Sequence, residues 1–392
     1  MVWWFSVPKV IFGEDALTTE LEQLSGKNAF ILTDKVVMGF GFPERISEIL
    51  HDHQWSVAIW DNAEPDPRVS SVKSAAEAMR RFSTDTIIAV GGGSVMDTAK
   101  AAWVLYEHPE IQLEAITPLQ PLDLRHKARL VCIPTTAGTG SEATKAVVIR
   151  EDQTGRKFAT NNAELCPDIA ILEPGFVKGL PKELTAYTGL DALTHAVEAY
   201  VSVWKNDFSD ACTLKTVQMV FEWLPKSVAD LTDLQAREKM LIAADLAGMS
   251  FSNSQVALGH SLGHSLGSVL RVQHGLAVGL SLPLTIEYNC KDKPETAKLY
   301  AELAALVGIK KADPELAARA FAKKIRQLQA SVGFPTSLKK AGVSEKDFND
   351  GLDKLVQYAM MDSSITMNPR DIDSGGIRKM YEYMYSGTPV DF

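Results

Sequence analysis

Two textures meet near residue 175, and the change between them constrains the fold more than any single motif. Before it, short apolar runs at 29–33, 57–60, 86–90, 130–133 and 169–172 alternate with helix-period stretches near 14–24, 42–53, 68–82 and 94–106. Strand–helix alternation predicts a parallel sheet with helices on both faces. The runs AFIL, TIIAV and LVCI are continuously apolar, as strands buried on both faces should be. After Pro174 strand-like runs nearly vanish. Helical period follows over 183–203, 207–229, 234–250, 258–270, 294–307, 313–331 and 344–360. Pro174, Gly175, Gly179 and Pro181 punctuate the change. An α/β N-terminal domain over 1–178 and an all-α C-terminal domain over 179–392 are expected.

A chain of 392 residues with 46% hydrophobic and 23% charged residues is globular in composition, which excludes disordered and fibrous classes. Lys and Arg number 40 against 49 Asp and Glu, a net charge of −9, and no basic tract stands out. That balance argues against nucleic acid or an anionic membrane as partner. The four cysteines, Cys132, Cys166, Cys212 and Cys290, form no CxxC pair, and a reducing compartment is the simpler setting for them. The start, MVWWFSVPKV, lacks a basic n-region and a long apolar core, so it reads as an entering β-strand rather than a signal peptide. No apolar run approaches a membrane span. A cytoplasmic location is expected.

The segment 87–100 reads IIAVGGGSVMDTAK, a strand, a glycine turn and a helix. Three glycines let backbone approach a ligand closely, and Ser94 is an N-cap candidate. Free N–H groups and the positive dipole end of the helix suit a phosphate. The spacing departs from GxGxxG, so the ordinary Rossmann fingerprint does not apply. A second loop, PTTAGTGSE at 134–142, offers hydroxyls and glycines to a ribose or pyrophosphate. Asp34 closes the strand run ILTD. A carboxylate there accepts from adenosine ribose hydroxyls and repels a 2′-phosphate, which favours NAD over NADP.

The second half concentrates histidine. Asp191 and His195 stand four apart in GLDALTHAVEAY, and His260 and His264 four apart in GHSLGHSLG, so each pair shares a helix face. His274 follows. Gly259, Gly263 and Gly267 form a stripe that calls for a close neighbour, since each interior glycine costs about 1 kcal/mol against alanine. One carboxylate with several imidazoles is a divalent transition-metal set. Spacing alone leaves open which four of the five ligate.

Together these motifs resemble the iron-containing (group III) alcohol dehydrogenase family. The resemblance covers nearly the whole chain, adding Glu64-Pro65-Asp66-Pro67 and Asn368-Pro369-Arg370 to the segments above. It implies a Rossmann-like dinucleotide-binding domain followed by a helical metal domain. It implies Asp191, His195, His260 and His274 as metal ligands, with His264 beside them as a proton relay. It implies Gly92, Gly93, Ser94, Asp97, Thr135, Thr136, Thr139 and Lys157 in the cofactor site, Asp34 at the position that favours NAD, and Phe251 lining the substrate opening. The implied metal is Fe2+, with Zn2+ or Mn2+ also able to occupy such a set. This sequence departs from the family pattern at Val95, Lys145, Ala146 and Arg271, and its approach to Asn368, DSSITM, has no cysteine.

The expected reaction is reversible hydride transfer between NAD and a small primary alcohol or its aldehyde, in a cleft between the two domains of a homodimer. Arg271 raises an alternative, reduction of an anionic aldehyde of the succinic semialdehyde or sulfoacetaldehyde type, paired through the guanidinium. A second alternative is a non-redox lyase on a dehydroquinate-synthase-like scaffold.

Overall fold

The computed structural model describes residues 4–392 and divides into two compact units, Met1–Leu180 and Pro181–Phe392. In the first unit the chain runs β1 (Lys9–Phe12), α1 (Ala16–Gln23), β2 (Asn28–Leu32), α2 (Lys35–Met38), α3 (Phe42–Asp52) and β3 (Ser56–Trp60). It continues through α4 (Val69–Phe82), β4 (Thr86–Gly91), α5 (Gly93–Glu107), β5 (Arg129–Pro134), β6 (Ala146–Arg150), β7 (Lys157–Asn161) and β8 (Ile169–Leu172). The order β1-β8-β5-β4-β2-β3 makes a six-stranded sheet, parallel throughout, and β6-β7 form a separate antiparallel pair. Strand order reverses between β2 and β4, and the loops beyond such a reversal form the usual ligand crevice of an α/β sheet.

β4 is buried at all six positions, as a central parallel strand must be. One face of the sheet packs Phe30, Ile87 and Leu130 against Val72, Met79 and Trp103 of α4 and α5. The other packs Ile31, Ile88 and Val131 against Leu17, Ile46 and Leu50 of α1 and α3. Alternate residues of one strand thus supply both cores. The N-terminal strand is shorter than the sequence suggested. It occupies Lys9–Phe12 at the sheet edge, Trp4 lies outside it and exposed, and residues 1–3 are outside the described residues.

The second unit is helical: α6 (Lys182–Val201), α7 (Asp207–Ala229), α8 (Leu234–Ser252), α9 (Leu258–Leu270), α10 (His274–Cys290), α11 (Pro294–Leu306), α12 (Pro314–Ser331), α13 (Glu345–Met361) and α14 (Ser374–Ser386). α6 and α10 are buried along most of their length, and α9 packs on α10. No helix among the described residues is long and apolar enough to cross a membrane. Gly259 and Gly263 serve the close approach expected of them. A Cβ on Gly263 would stand 2.4 Å from Val278 Cγ1, and one on Gly259 2.6 Å from Glu198 Oε1.

Candidate metal centre and cofactor cradle

In the first unit, loops after β2, β4 and β5 leave neighbouring strands at the same end of the sheet. β4 ends on Gly91 and α5 begins at Gly93, which makes Gly92 the N-cap, with no side-chain cap on the helix. Ser94 is therefore not the cap. It sits inside the first turn, because the strand runs through Gly91, and its Oγ accepts the Asp66 N–H at 3.4 Å. The Thr-rich loop lies against the turn. A Cβ on Gly93 would meet Thr139 Cγ2 at 3.0 Å, and one on Gly92 would meet Thr136 Cγ2 at 3.4 Å. Thr135 N–H donates to the Gly91 carbonyl at 3.0 Å. Thr136 Oγ1 is buried without a hydrogen-bond partner among the described residues, and an uncapped helix start beside it suits an anion with acceptor oxygens. The donor set fits a dinucleotide diphosphate.

Several expected cofactor residues make contacts within the protein. Both oxygens of Asp97 accept, one from Ser141 Oγ at 3.2 Å and one from Val148 N at 3.1 Å. Burial pushes its carboxyl up to about 6, against the opposing Lys100. Lys157, on β7, is 2.5 Å from Asp66 Oδ1, and Arg150 is 2.7 Å from Asp66 Oδ2. That ion-paired group adjoins the glycine turn through the Asp66–Ser94 bond. Asp34 Oδ1 accepts from Val36 N at 2.8 Å and Val37 N at 2.9 Å, so the residue caps α2. It does so at the C-terminal end of β2, beside the point where strand order reverses.

Sequence reasoning missed Lys100. Its ammonium is fully buried and donates to the Ser141 and Thr144 carbonyls at 2.7 and 2.8 Å, to both hydroxyls, and to the Ala146 carbonyl at 3.2 Å. Burial pulls its pKa down, with Asp97 opposing. Lys100 and Asp97 together fasten the loop that carries Thr135, Thr136 and Thr139 to α5. A lone lysine in the apolar stretch TAKAAWV, three residues after an aspartate, was the available signal.

In the second unit one ligand atom each from Asp191, His195, His260 and His274 lies within 4.8 Å of the others. Around Asp191 Oδ1 the nearest nitrogens stand at 3.7 Å (His195 Nδ1), 3.9 Å (His260 Nε2) and 3.5 Å (His274 Nε2). Donors at roughly 2.1 Å from a tetrahedral divalent ion are about 3.4 Å apart, so the set is close to that spacing. Three of the four residues are buried, and His274 is 39% exposed, which opens the cluster on one side. Asp191 Oδ1 and His260 Nε2 are buried without a hydrogen-bond partner among the described residues. Burial alone pushes Asp191 up to about 8, and a cation among these four atoms would favour the carboxylate. The donors fit a divalent metal.

α6 supplies Asp191 and His195 one turn apart, α9 supplies His260, and α10 begins with His274. Gly275 lets that start press on α6, where a Cβ would meet the Tyr187 carbonyl at 2.4 Å. Phe251 stacks on the His195 ring, with centroids 4.2 Å apart. His264 is outside the four-residue group. Its ring stacks 5.5 Å from His274, and Nδ1 is 2.8 Å from Asp362 Oδ2. Burial opposes ionisation of Asp362, but His264 and Ser364 hold its carboxyl well below the usual range. Arg271 is exposed at the αL C-cap of α9 and lines a groove with Gln273, Asp347, Asp350 and Lys354 that none of the four cluster residues lines.

Glu198 was also missed, although it falls on the face already singled out: positions 191, 195 and 198 follow i, i+4, i+7. Its carboxylate lies 2.6 Å from His260 Nδ1.

Family models match both halves of the chain. The model for iron-containing alcohol dehydrogenase covers residues 8–174, and that for the Fe-containing alcohol dehydrogenase family, C-terminal, covers 185–385. The NADPH-dependent butanol dehydrogenase of Clostridium saccharobutylicum is 36% identical over 390 residues, 99% of each chain. Aldehyde-alcohol dehydrogenase 2 of Entamoeba histolytica is 38% identical over 94% of this chain, which spans 45% of that longer protein. The crystal structure of a 1,3-propanediol oxidoreductase superposes with a TM-score of 0.91 at 31% identity, covering 98% of this chain and 100% of that one. With both domain models matched and full-length relatives above 30% identity, the chain belongs to the iron-containing alcohol dehydrogenase family.

Proposed function

We propose that this chain interconverts a small primary alcohol and its aldehyde, using NAD and a divalent metal, Fe2+ by family expectation, held by Asp191, His195, His260 and His274. The observation that carries the reading is the convergence of one buried carboxylate and three imidazoles on a single point. When bound, the metal supplies a Lewis acid that eases deprotonation of the alcohol or polarises the carbonyl, and NAD supplies the hydride acceptor.

The chain's own residues do the rest. Gly92 and Gly93 admit the dinucleotide diphosphate to the start of α5, and Thr135, Thr136 and Thr139 border it. Lys157 and Ser94 flank the same turn. Asp34 keeps one carboxylate oxygen clear of its capping bonds, which suits ribose hydroxyls and disfavours a 2′-phosphate. This distinguishes the reading from the NADPH named for the Clostridium relative. Phe251 covers the His195 ring and limits water there. His264 donates Nδ1–H to Asp362, which leaves Nε2 to accept the alcohol proton and return it in reverse.

The four free cysteines suit a cytoplasmic setting, and the exposed edge of β1 suits pairing in a homodimer. The reading is tested with His260→Ala. Loss of bound metal and of NAD-linked turnover is expected, and full metal content with retained turnover overturns it.

A further inference from the structure

We infer that Glu198 is the positioning residue on which the metal affinity of the cluster depends, because it sets both the start of α9 and the ring of His260. The inference rests on the proposed ligand set. α9 begins at Leu258 after Ala257, which brings no side-chain cap, so its first amides need an acceptor from elsewhere. Glu198, from α6, supplies it. One oxygen accepts Gly259 N–H. The other accepts Ala257 N–H at 3.0 Å, His260 N–H at 3.3 Å and the His260 ring at 2.6 Å. The carboxylate is 3% exposed, and these donors are what satisfy it.

Glycine at 259 belongs to the same device. A Cβ there would stand 2.6 Å from Glu198 Oε1 and 2.9 Å from Ser281 Oγ. Only a residue without a side chain lets the carboxylate reach the helix start. The geometry then fixes His260 chemically. A carboxylate accepts, so Nδ1 is the donor in this pair, and Nε2 is the nitrogen left facing Asp191 Oδ1, 3.9 Å away. His260 reaches the cluster with Nε2 as its ligand atom, already oriented. Asp191 and Glu198 are on one helix, so α6 contributes a ligand and the support of another ligand from the same face.

Glu198→Gln tests this without changing shape. Four N–H groups converge on the site, and an amide offers one acceptor oxygen and an NH2. If the oxygen serves His260, the NH2 opposes Gly259 N–H, and the flipped amide opposes the His260 ring. The measurements are the rate of metal loss from the purified holoenzyme into excess chelator and the visible spectrum of the Co2+-loaded protein. Support is metal loss 10–100-fold faster than wild type with a changed Co2+ band. Glu198→Asp guards against misfolding of the first variant: it keeps the charge but withdraws the oxygens, and it should fall between wild type and Glu198→Gln. If these variants hold metal as wild type does while His260→Ala loses it, the role of Glu198 is overturned and the ligand set stands. If His260→Ala also keeps its metal, the ligand set itself fails.

Discussion

His264 Nδ1 and Asp362 Oδ2 are 2.8 Å apart, joining α9 to the end of α13 beside the histidine cluster. Asp362 is itself held, since its other oxygen accepts Ser364 N–H at 2.8 Å. A carboxylate so fixed orients the imidazole, as the relay role proposed for His264 requires. Asp362→Ala is expected to lower kcat by roughly 10–100-fold with metal content unchanged, and His264→Ala by about as much or more. The double variant should be little worse than His264→Ala, because the two residues act as one unit. Steady-state kinetics beside metal analysis decide it, and additive losses would argue for independent roles.

Asp34 caps α2, and the proposed function gives it a second role, at the adenosine ribose, that substitution can separate from the first. Its Oδ1 makes the cap, and its Oδ2 is outside those two bonds. Asp34→Ser keeps a capping oxygen and removes the charge. Its melting temperature should stay close to wild type while kcat/KM with NADP rises relative to NAD. Asp34→Ala gives the same cofactor shift and also loses about 1 kcal/mol of stability. An unchanged NADP to NAD ratio in both variants would remove Asp34 from the cofactor site.

Much of this arrangement was legible in the sequence, for reasons visible in particular elements. α7 and α9 have the bounds their periodicity predicts, because each presents mixed polar and apolar faces. α10 was not legible: HGLAVGLSLPLTIEYNC has almost no polar face, and 275–290 are buried throughout. The β6–β7 pair was missed because AVVIR and KFATN are half-buried and separated by a polar turn, which resembles an ordinary loop. α14 starts SGG, a breaker signature that hides the helix after it. Residue type and spacing singled out five candidates, Asp191, His195, His260, His264 and His274, and the family resemblance named the four that cluster. Glu198, Lys100 and Asp362 act through partners 62, 41 to 46 and 98 positions away, which local spacing cannot reveal.

Gly275 ties packing to the cluster. The residue after His274 meets the Tyr187 carbonyl, and backbone does not yield as a flexible side chain would. Gly275→Ala must move the start of α10 and His274 with it. A loss of about 1–3 kcal/mol is expected, with weakened metal retention even where the fold survives. Chemical unfolding and metal analysis check it together, and wild-type values for both would show that His274 is not placed by this contact.

Glu142 sets a pH dependence for the first unit. The residue is 1% exposed, and among the described residues no other residue's donor reaches either carboxylate oxygen. Burial pushes its carboxyl from 4.5 up to about 7, with Lys100 opposing. A folded-state pKa above the unfolded one means that the folded chain holds the proton more tightly. The associated stability is complete below about pH 4.5 and is lost as pH rises through about 7. Glu142→Gln mimics the protonated group and removes that loss. The variant should match wild type near pH 4.5 and exceed it at pH 8, by up to roughly 3 kcal/mol at about 1.4 kcal/mol per pH unit. Denaturant titrations across that range measure the difference. A gap that stays constant with pH, or a variant less stable at pH 8, would show that Glu142 is ionised and satisfied in the folded chain.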